Sequence, residues 1–150
     1  MIYLHENGVT VVAQSGVKGA KPGAFYELNG EQYYVAIDKW DLKRLIDKGA
    51  DMSKVVTSKV TTLNSLFCFS DFNQDISSWD TSKVKSMSEM FLGNKVFNQP
   101  IGHWNTKNVT AMISMFRDAS DFNHPIGDWD TSRLNNISSM FENAKAFNQP

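Results

Sequence analysis

The 150-residue chain has a single cysteine, only four prolines and no apolar run long enough to cross a bilayer. Because Cys68 is alone, no intramolecular disulfide can staple the fold, and cysteine usage does not report the redox compartment. Charge excess is missing too: 15 Lys+Arg stand against 16 Asp+Glu, a formal net charge of −1. The balance holds along the chain, with six of each sign in residues 1–50 and nine basic against ten acidic in residues 51–150. Neither part reads as a basic nucleic-acid surface or a polyanion-binding tail, so no nucleic-acid partner and no direct membrane insertion are expected. Residues 1–8 lack the basic start and the apolar stretch of a signal peptide.

Catalytic signatures are also lacking. No nucleophile elbow, P-loop, dinucleotide fingerprint or Ser/His/Asp spacing appears. His103 and His124 lie 21 residues apart at positions that do not correspond between repeats, which is not the spacing of a zinc pair. No enzyme activity, cofactor or metal is expected. Cys68 follows the apolar Leu66-Phe67 pair and reads as a packing residue.

Large apolar side chains are plentiful: 10 Phe, 7 Met and 4 Trp on a polar Asn/Ser/Thr/Asp background. A disordered chain would lack them. Their placement is periodic. Phe72, Phe97, Phe122 and Phe147 fall 25 residues apart, as do Trp79, Trp104 and Trp129, and Ile76, Ile101 and Ile126. The same step links Val84, Val109 and Leu134, then Met90, Met115 and Met140, then Phe91, Phe116 and Phe141. Asn73, Asn98, Asn123 and Asn148 follow the Phe positions, and side-chain amides there read as a ladder that satisfies turn backbone. A degenerate first unit, with Thr57, Val60, Leu63, Leu66 and Phe67, precedes them at a step of 24.

A unit this short cannot bury its own apolar face, but identical units stacked on one another can. The pattern predicts an α+β repeat protein, a leucine-rich-repeat-like solenoid of about 25-residue coils. Ile76, Trp79 and Thr81 would lie on its strand and the approach to it. Residues 88–94 would form a brief α or 3₁₀ turn.

Residues 1–50 do not repeat. Ile2-Tyr3-Leu4 and Val9-Thr10-Val11-Val12 flank Glu6-Asn7-Gly8, a hairpin signal. Residues 15–23 read as a Gly/Lys loop, with residues 16–19 flexible and basic. Residues 24–28 and 33–37 flank Asn29-Gly30, a second hairpin signal. Asp38 caps a helix to about Lys48, with Leu42, Leu45 and Ile46 as its apolar stripe and Gly49 beyond its end. The expected organisation is an N-terminal β-hairpin and helix cap over residues 1–50, then about four coils over residues 51–150 with an uncapped C-terminal end.

Residues 72–84, Phe-Asn-Gln-Asp-Ile-Ser-Ser-Trp-Asp-Thr-Ser-Lys-Val, resemble the repeat of bacterial surface proteins first noted in mycoplasma lipoproteins. That repeat runs to roughly 25 or 26 residues and is regarded as a relative of BspA-type leucine-rich repeats. The resemblance covers residues 51–150. The preceding segment also resembles one found ahead of such repeats in marine Bacteroidetes-type proteins. The likeness implies an exported, cell-surface or lipid-anchored protein, with adhesion or host and matrix binding as its suggested role.

Variable residues projecting from the coils are the candidate binding face: Ser78, Asp80, Lys83, His103, Asn105, Lys107, Asp128, Asp130 and Arg133. Stacked Asp80, Asn105 and Asp130 could hold a cation, but the Asn rung and the following Ser or Lys favour turn capping. The function expected is a non-enzymatic protein-binding or adhesion module. The alternative is a structural spacer that homodimerises through its C-terminal end, with Ile126, Trp129, Met140, Phe141 and Phe147 as the contact.

Overall fold

The structure is a computed structural model that describes residues 1–14 and 19–150. The Gly/Lys loop expected over residues 15–23 therefore lies partly outside the described residues. Among the described residues all regular secondary structure falls between Ile2 and Val56. β1 (Ile2–Leu4) and β2 (Val11–Ala13) form one antiparallel pair. β3 (Phe25–Leu28) and β4 (Glu31–Val35) form another, joined by Asn29 and Gly30 at φ 54° and 82°, the doubly left-handed turn that suits a two-residue hairpin. α1 (Lys39–Asp47) follows, capped by the Asp38 carboxylate, which accepts from the Asp41 N–H at 2.9 Å. Gly49, at φ 70°, ends it in the left-handed conformation. A 3₁₀ turn (Met52–Lys54) leads into β5 (Val55–Val56), which adds parallel to β4 and completes a three-stranded sheet.

β5 joins two cores by strand alternation. Val56 packs with Ile2, Val11, Ala13, Ala20 and Val35 in a small core belonging to the sheets. Val55 faces the other way, into the large core that holds Leu42 and the periodic Trp, Phe and Met residues.

The expectation of an α+β, leucine-rich-repeat-like solenoid with a strand on each coil is overturned. The described residues hold two small sheets, one helix and one 3₁₀ turn. Beyond Val56 no strand or helix forms among them, only the isolated parallel bridges Thr62–Ser86, Ser86–Ala111 and Ala111–Asn136. The reason lies in where the backbone hydrogen bonds go. Ile76 to Trp79, expected on a strand, is a tight turn in which the Trp79 N–H donates to the Ile76 carbonyl at 3.1 Å; Trp104 and Trp129 repeat it at 3.2 and 3.1 Å. Thr81 to Val84 is another such turn, at 2.9 Å.

Residues 87–94 are not the expected helical turn either. There the N–H groups alternate in destination. Those of Met87, Glu89, Phe91 and Gly93 donate to carbonyls of the next repeat, at Ala111, Ile113, Met115 and Arg117. Those of Met90, Leu92 and Asn94 donate within the turn, three residues back. A helix needs every N–H to turn inward and a strand needs alternate groups to face flanking strands, so this path is neither. The alternation requires left-handed residues: Ser65, Glu89, Ser114 and Ser139 have φ of 56°, 59°, 50° and 54°.

Repeats thus lie on one another as tiers. Trp79, Trp104 and Trp129 stack at 6.5 and 6.4 Å, nearly parallel. Phe67, Phe91, Phe116 and Phe141 stack at 5.4 to 5.7 Å, and Phe72, Phe97, Phe122 and Phe147 at 5.9 to 6.5 Å. Each Trp indole N–H reaches back one tier, to Met52, Ile76 and Ile101 carbonyls at 2.9, 3.2 and 3.2 Å. Buried threonine hydroxyls reach forward: Thr57, Thr81 and Thr106 donate to the Asp80, Asn105 and Asp130 carbonyls at 3.0 to 3.1 Å.

Gly93 is the one glycine among the equivalent left-handed positions Phe69, Gly93, Asp118 and Asn143. Its lack of a Cβ leaves room for the Phe69 ring, which a Cβ there would strike. Gly93→Ala is expected to lower stability by about 1–2 kcal/mol, the ordinary cost of a left-handed Cβ plus displacement of that ring. In a Phe69→Ala background the cost should fall to the lower end of that range. Urea unfolding of the four proteins checks both numbers.

Candidate functional site

The β1–β2 pair is fastened across the first tiers by two backbone donors. The Val11 N–H donates to the Ser78 carbonyl at 2.9 Å, and the Ala13 N–H to the buried Ser58 hydroxyl at 2.8 Å. Ser78 also donates through its own hydroxyl to the Ser53 carbonyl at 3.3 Å. Of the candidate face, Ser78 is therefore a junction residue rather than a free contact.

Beside that junction lies a polar cleft of about 230 Å³. Tyr3, His5, Asn7 and Thr10 form one wall, and Asp80, Ser82, His103 and Asn105 the other. Each wall is fixed by its own turn. Asn7 accepts from the Val9 and Thr10 N–H groups at 3.0 Å and donates to the Thr10 hydroxyl at 2.9 Å. His5 Nδ1 accepts from the Asn7 N–H at 3.3 Å, so in the neutral ring Nε2 carries the proton and is a donor. Across the cleft, Asp80 accepts from the Ser82 N–H at 3.0 Å, leaving its second oxygen as an acceptor. Asn105 and Asp130 cap the same turn in the next tiers, toward Lys107 and Ser132 at 3.2 and 2.9 Å.

The other candidates separate from this cleft. Asp128 and Asp130 are exposed further along. The Asp130 carboxyl is held below the usual carboxylate range, first by the Ser132 hydroxyl and backbone N–H and then by Lys107 and Arg133. Lys83 and Arg133 line a different concavity. At the far end, Trp129 and Met140 are buried, while Ile126, Phe141 and Phe147 are half-buried and pack on the large core. Ile137 is the large apolar residue that stands out there, at 55 % exposure.

Sequence reasoning did not find Tyr3 and His5, because nothing in a non-repeating hairpin announces which repeat it lies against. It did not assign His124 either. That residue stands where Gln99 and Gln149 stand in their own tiers. Gln99 and Gln149 donate to the Asn73 and Asn123 carbonyls at 3.0 and 3.1 Å, and His124 Nε2 meets the Asn98 carbonyl at 3.0 Å. The common step of 25 residues was the available signal. The Asn ladder itself runs through backbone: the Asn98, Asn123 and Asn148 N–H groups each donate to the preceding Asn side chain at 3.0 Å.

Among the described residues no group of three His, Cys, Asp or Glu side chains converges to hold a metal ion. Cys68 is half-buried, and burial, then the Glu89 carboxylate, push its thiol pKa up, away from nucleophilic reactivity. Among the described residues no helix is long and apolar enough to cross a membrane.

The cleft and the stacked tiers define a class of protein: a repeat array with a small N-terminal module laid against its first units. A family model described as a Mycoplasma protein of unknown function, DUF285, matches residues 24–150, and the chain belongs to that family. No curated protein and no solved structure matches it.

Proposed function

We propose that the protein is a non-enzymatic binding module of a bacterial surface or secreted protein, and that it engages a protein ligand at the cleft between the β1–β2 pair and the first tiers. The observation that supports this reading is the cleft's composition. Asp80, His103 and Asn105, three of the candidate face residues, are gathered opposite Tyr3 and His5 in one recess. That recess offers a carboxylate, two imidazoles, an amide and an aromatic ring to a polypeptide segment, a mix of hydrogen-bond acceptors, donors and apolar area. The secreted or surface location, and kinship with BspA-type repeats, rest on the likeness of residues 72–84.

The test is a protein and glycan array probed with the chain and with Tyr3→Ala and His103→Ala variants, each verified as folded by circular dichroism. A protein ligand captured by the parent should bind the variants about tenfold more weakly, the usual loss when a central contact is truncated. Undiminished capture by both variants, or capture of no protein, overturns the reading.

A second reading keeps homodimerisation through the last tier, on the strength of exposed Ile137 beside half-buried Phe141 and Phe147. Along residues 87–93 and their equivalents the N–H groups pass forward, so those of Ile137, Ser139 and Phe141 occupy outward donor positions of that face, while Lys85, Thr110 and Asn135 donate backward, which puts the Asn135 carbonyl in an outward acceptor position. A two-fold pair would bring outward donors and acceptors together with this apolar surface. Loss of a dimer in sedimentation on Ile137→Arg supports this reading, and a monomeric parent removes it.

A further inference from the structure

The near-zero net charge hides a local imbalance. Lys83, Lys85 and Arg133, with Thr61, Asn108 and Thr110, line an open groove of about 490 Å³ that no carboxylate enters. Lys83, Asn108 and Arg133 hold equivalent positions in three successive tiers, so the first and last are about 10 Å apart at the spacing of paired strands. Five ion pairs form among the described residues, and none uses these three cations. Arg133 acts on the Asp130 carboxylate only through space, and that carboxylate is engaged by Ser132.

The groove is built rather than incidental. Asn108 donates to the Ser82 carbonyl at 2.7 Å, and its oxygen accepts from Arg133 Nη1 at 3.1 Å. That orients the guanidinium and leaves its other N–H groups free for a bidentate oxyanion. Thr110 is fixed by donating to the Lys85 carbonyl at 3.2 Å.

We propose that this groove binds a sulfated polysaccharide, its sulfates on Lys83, Lys85 and Arg133 and its hydroxyls on Thr61, Asn108 and Thr110. An acidic peptide is the poorer fit, because the floor has no backbone edge to offer. Lys85 N–H donates to the Thr61 carbonyl, Thr110 N–H to Lys85 and Asn135 N–H to Thr110, at 2.9 to 3.0 Å, so an added strand would find no partner for its amides. A nucleic acid fits less well again, because no aromatic side chain lines the groove to stack a base. A sulfated sugar needs neither.

The experiment titrates the full chain with a sulfated hexasaccharide, its desulfated counterpart, polyglutamate and a single-stranded oligonucleotide. The sulfated sugar should bind, weaken as salt rises, and lose about tenfold or more in a Lys83→Gln/Lys85→Gln/Arg133→Gln variant. Lys48→Gln, just past the end of α1 and outside the groove, should leave binding unchanged, and the melting curves of all three proteins should agree. The proposal is overturned if the triple variant binds as the parent does, or if the sulfated sugar does not bind. It is equally overturned if the desulfated sugar, polyglutamate or the oligonucleotide binds as tightly. The cleft reading is tested at Tyr3 and His103, so failure at either site leaves the other standing.

Discussion

Trp104→Ala is expected to lower the unfolding free energy by about 3–5 kcal/mol, the range for deleting a large aromatic from a packed interior. Trp104 is sandwiched at 6.5 Å from Trp79 and 6.4 Å from Trp129 in near-parallel stacks, so its removal opens a void with a ring on each side. It also removes one of the two donors on the buried Ile76 carbonyl, the indole N–H at 3.2 Å, and leaves the Trp79 N–H at 3.1 Å. Two controls separate these effects. Trp104→Phe keeps a six-membered ring in the stack and loses the donor and the rest of the indole, for about 1–2 kcal/mol. Trp129→Ala should cost less than Trp104→Ala, because Trp129 stacks on one tryptophan and keeps 7 % of its surface in solvent. Urea midpoints for the three variants give the order. Equal losses at Trp104 and Trp129 would mean that the tiers do not transmit packing along the array.

The core was legible in the sequence because its residues recur. Phe72, Trp79, Met90, Phe91 and their equivalents one and two steps later are nearly all buried, and a period that survives several repeats can only mean equivalent environments. The path of the chain between those residues was not legible. Ser65, Glu89, Ser114 and Ser139 adopt left-handed conformations, and none of them is the Gly or Asn that signals one. Their conformation is imposed by neighbours: each donates its N–H to the next tier or occupies the place of one that does. Without that signal, Ile76, Trp79 and Thr81 read as a strand and residues 88–94 as a helical turn. The structure has turns at the first and an alternating hydrogen-bond path at the second.

The same limit applies to the sites. Asp80, His103 and Asn105 could be found as variable positions between invariant-looking core steps. Tyr3 and His5 could not, because their contact with the repeats joins segments of unrelated pattern. Lys83 and Arg133 were visible singly. Their sum with Lys85, and the lack of any carboxylate between them, depends on which side of the tiers each residue faces. A balanced total of 15 basic and 16 acidic residues conceals such a groove.

Leu42→Ala carries the second large effect, about 2–5 kcal/mol, and it tests whether α1 seals the array. Along residues 87–93 and their equivalents the N–H groups run forward, so the carbonyls of Thr62, Asn64, Leu66 and Cys68 in the first tier take the positions that face back toward the N-terminal module. One of them is met by α1 itself, where the Lys39 ammonium donates to the Asn64 carbonyl at 3.3 Å. Leu42 is fully buried, and Leu45 and Ile46 pack beside it on the large core. Trp40 on the same helix is 71 % exposed and sits beneath the Lys39 ammonium at 4.5 Å. Trp40→Ala should therefore cost no more than about 0.5–1 kcal/mol, the worth of an exposed cation–π contact. If α1 is the seal, Leu42→Ala destabilises the whole chain in a single cooperative transition, and hydrogen exchange quickens at Leu63 and Phe67 as well as in α1. If exchange quickens in α1 alone, or Leu42→Ala costs as little as Trp40→Ala, the helix is an appendage and the first tier is stable without it.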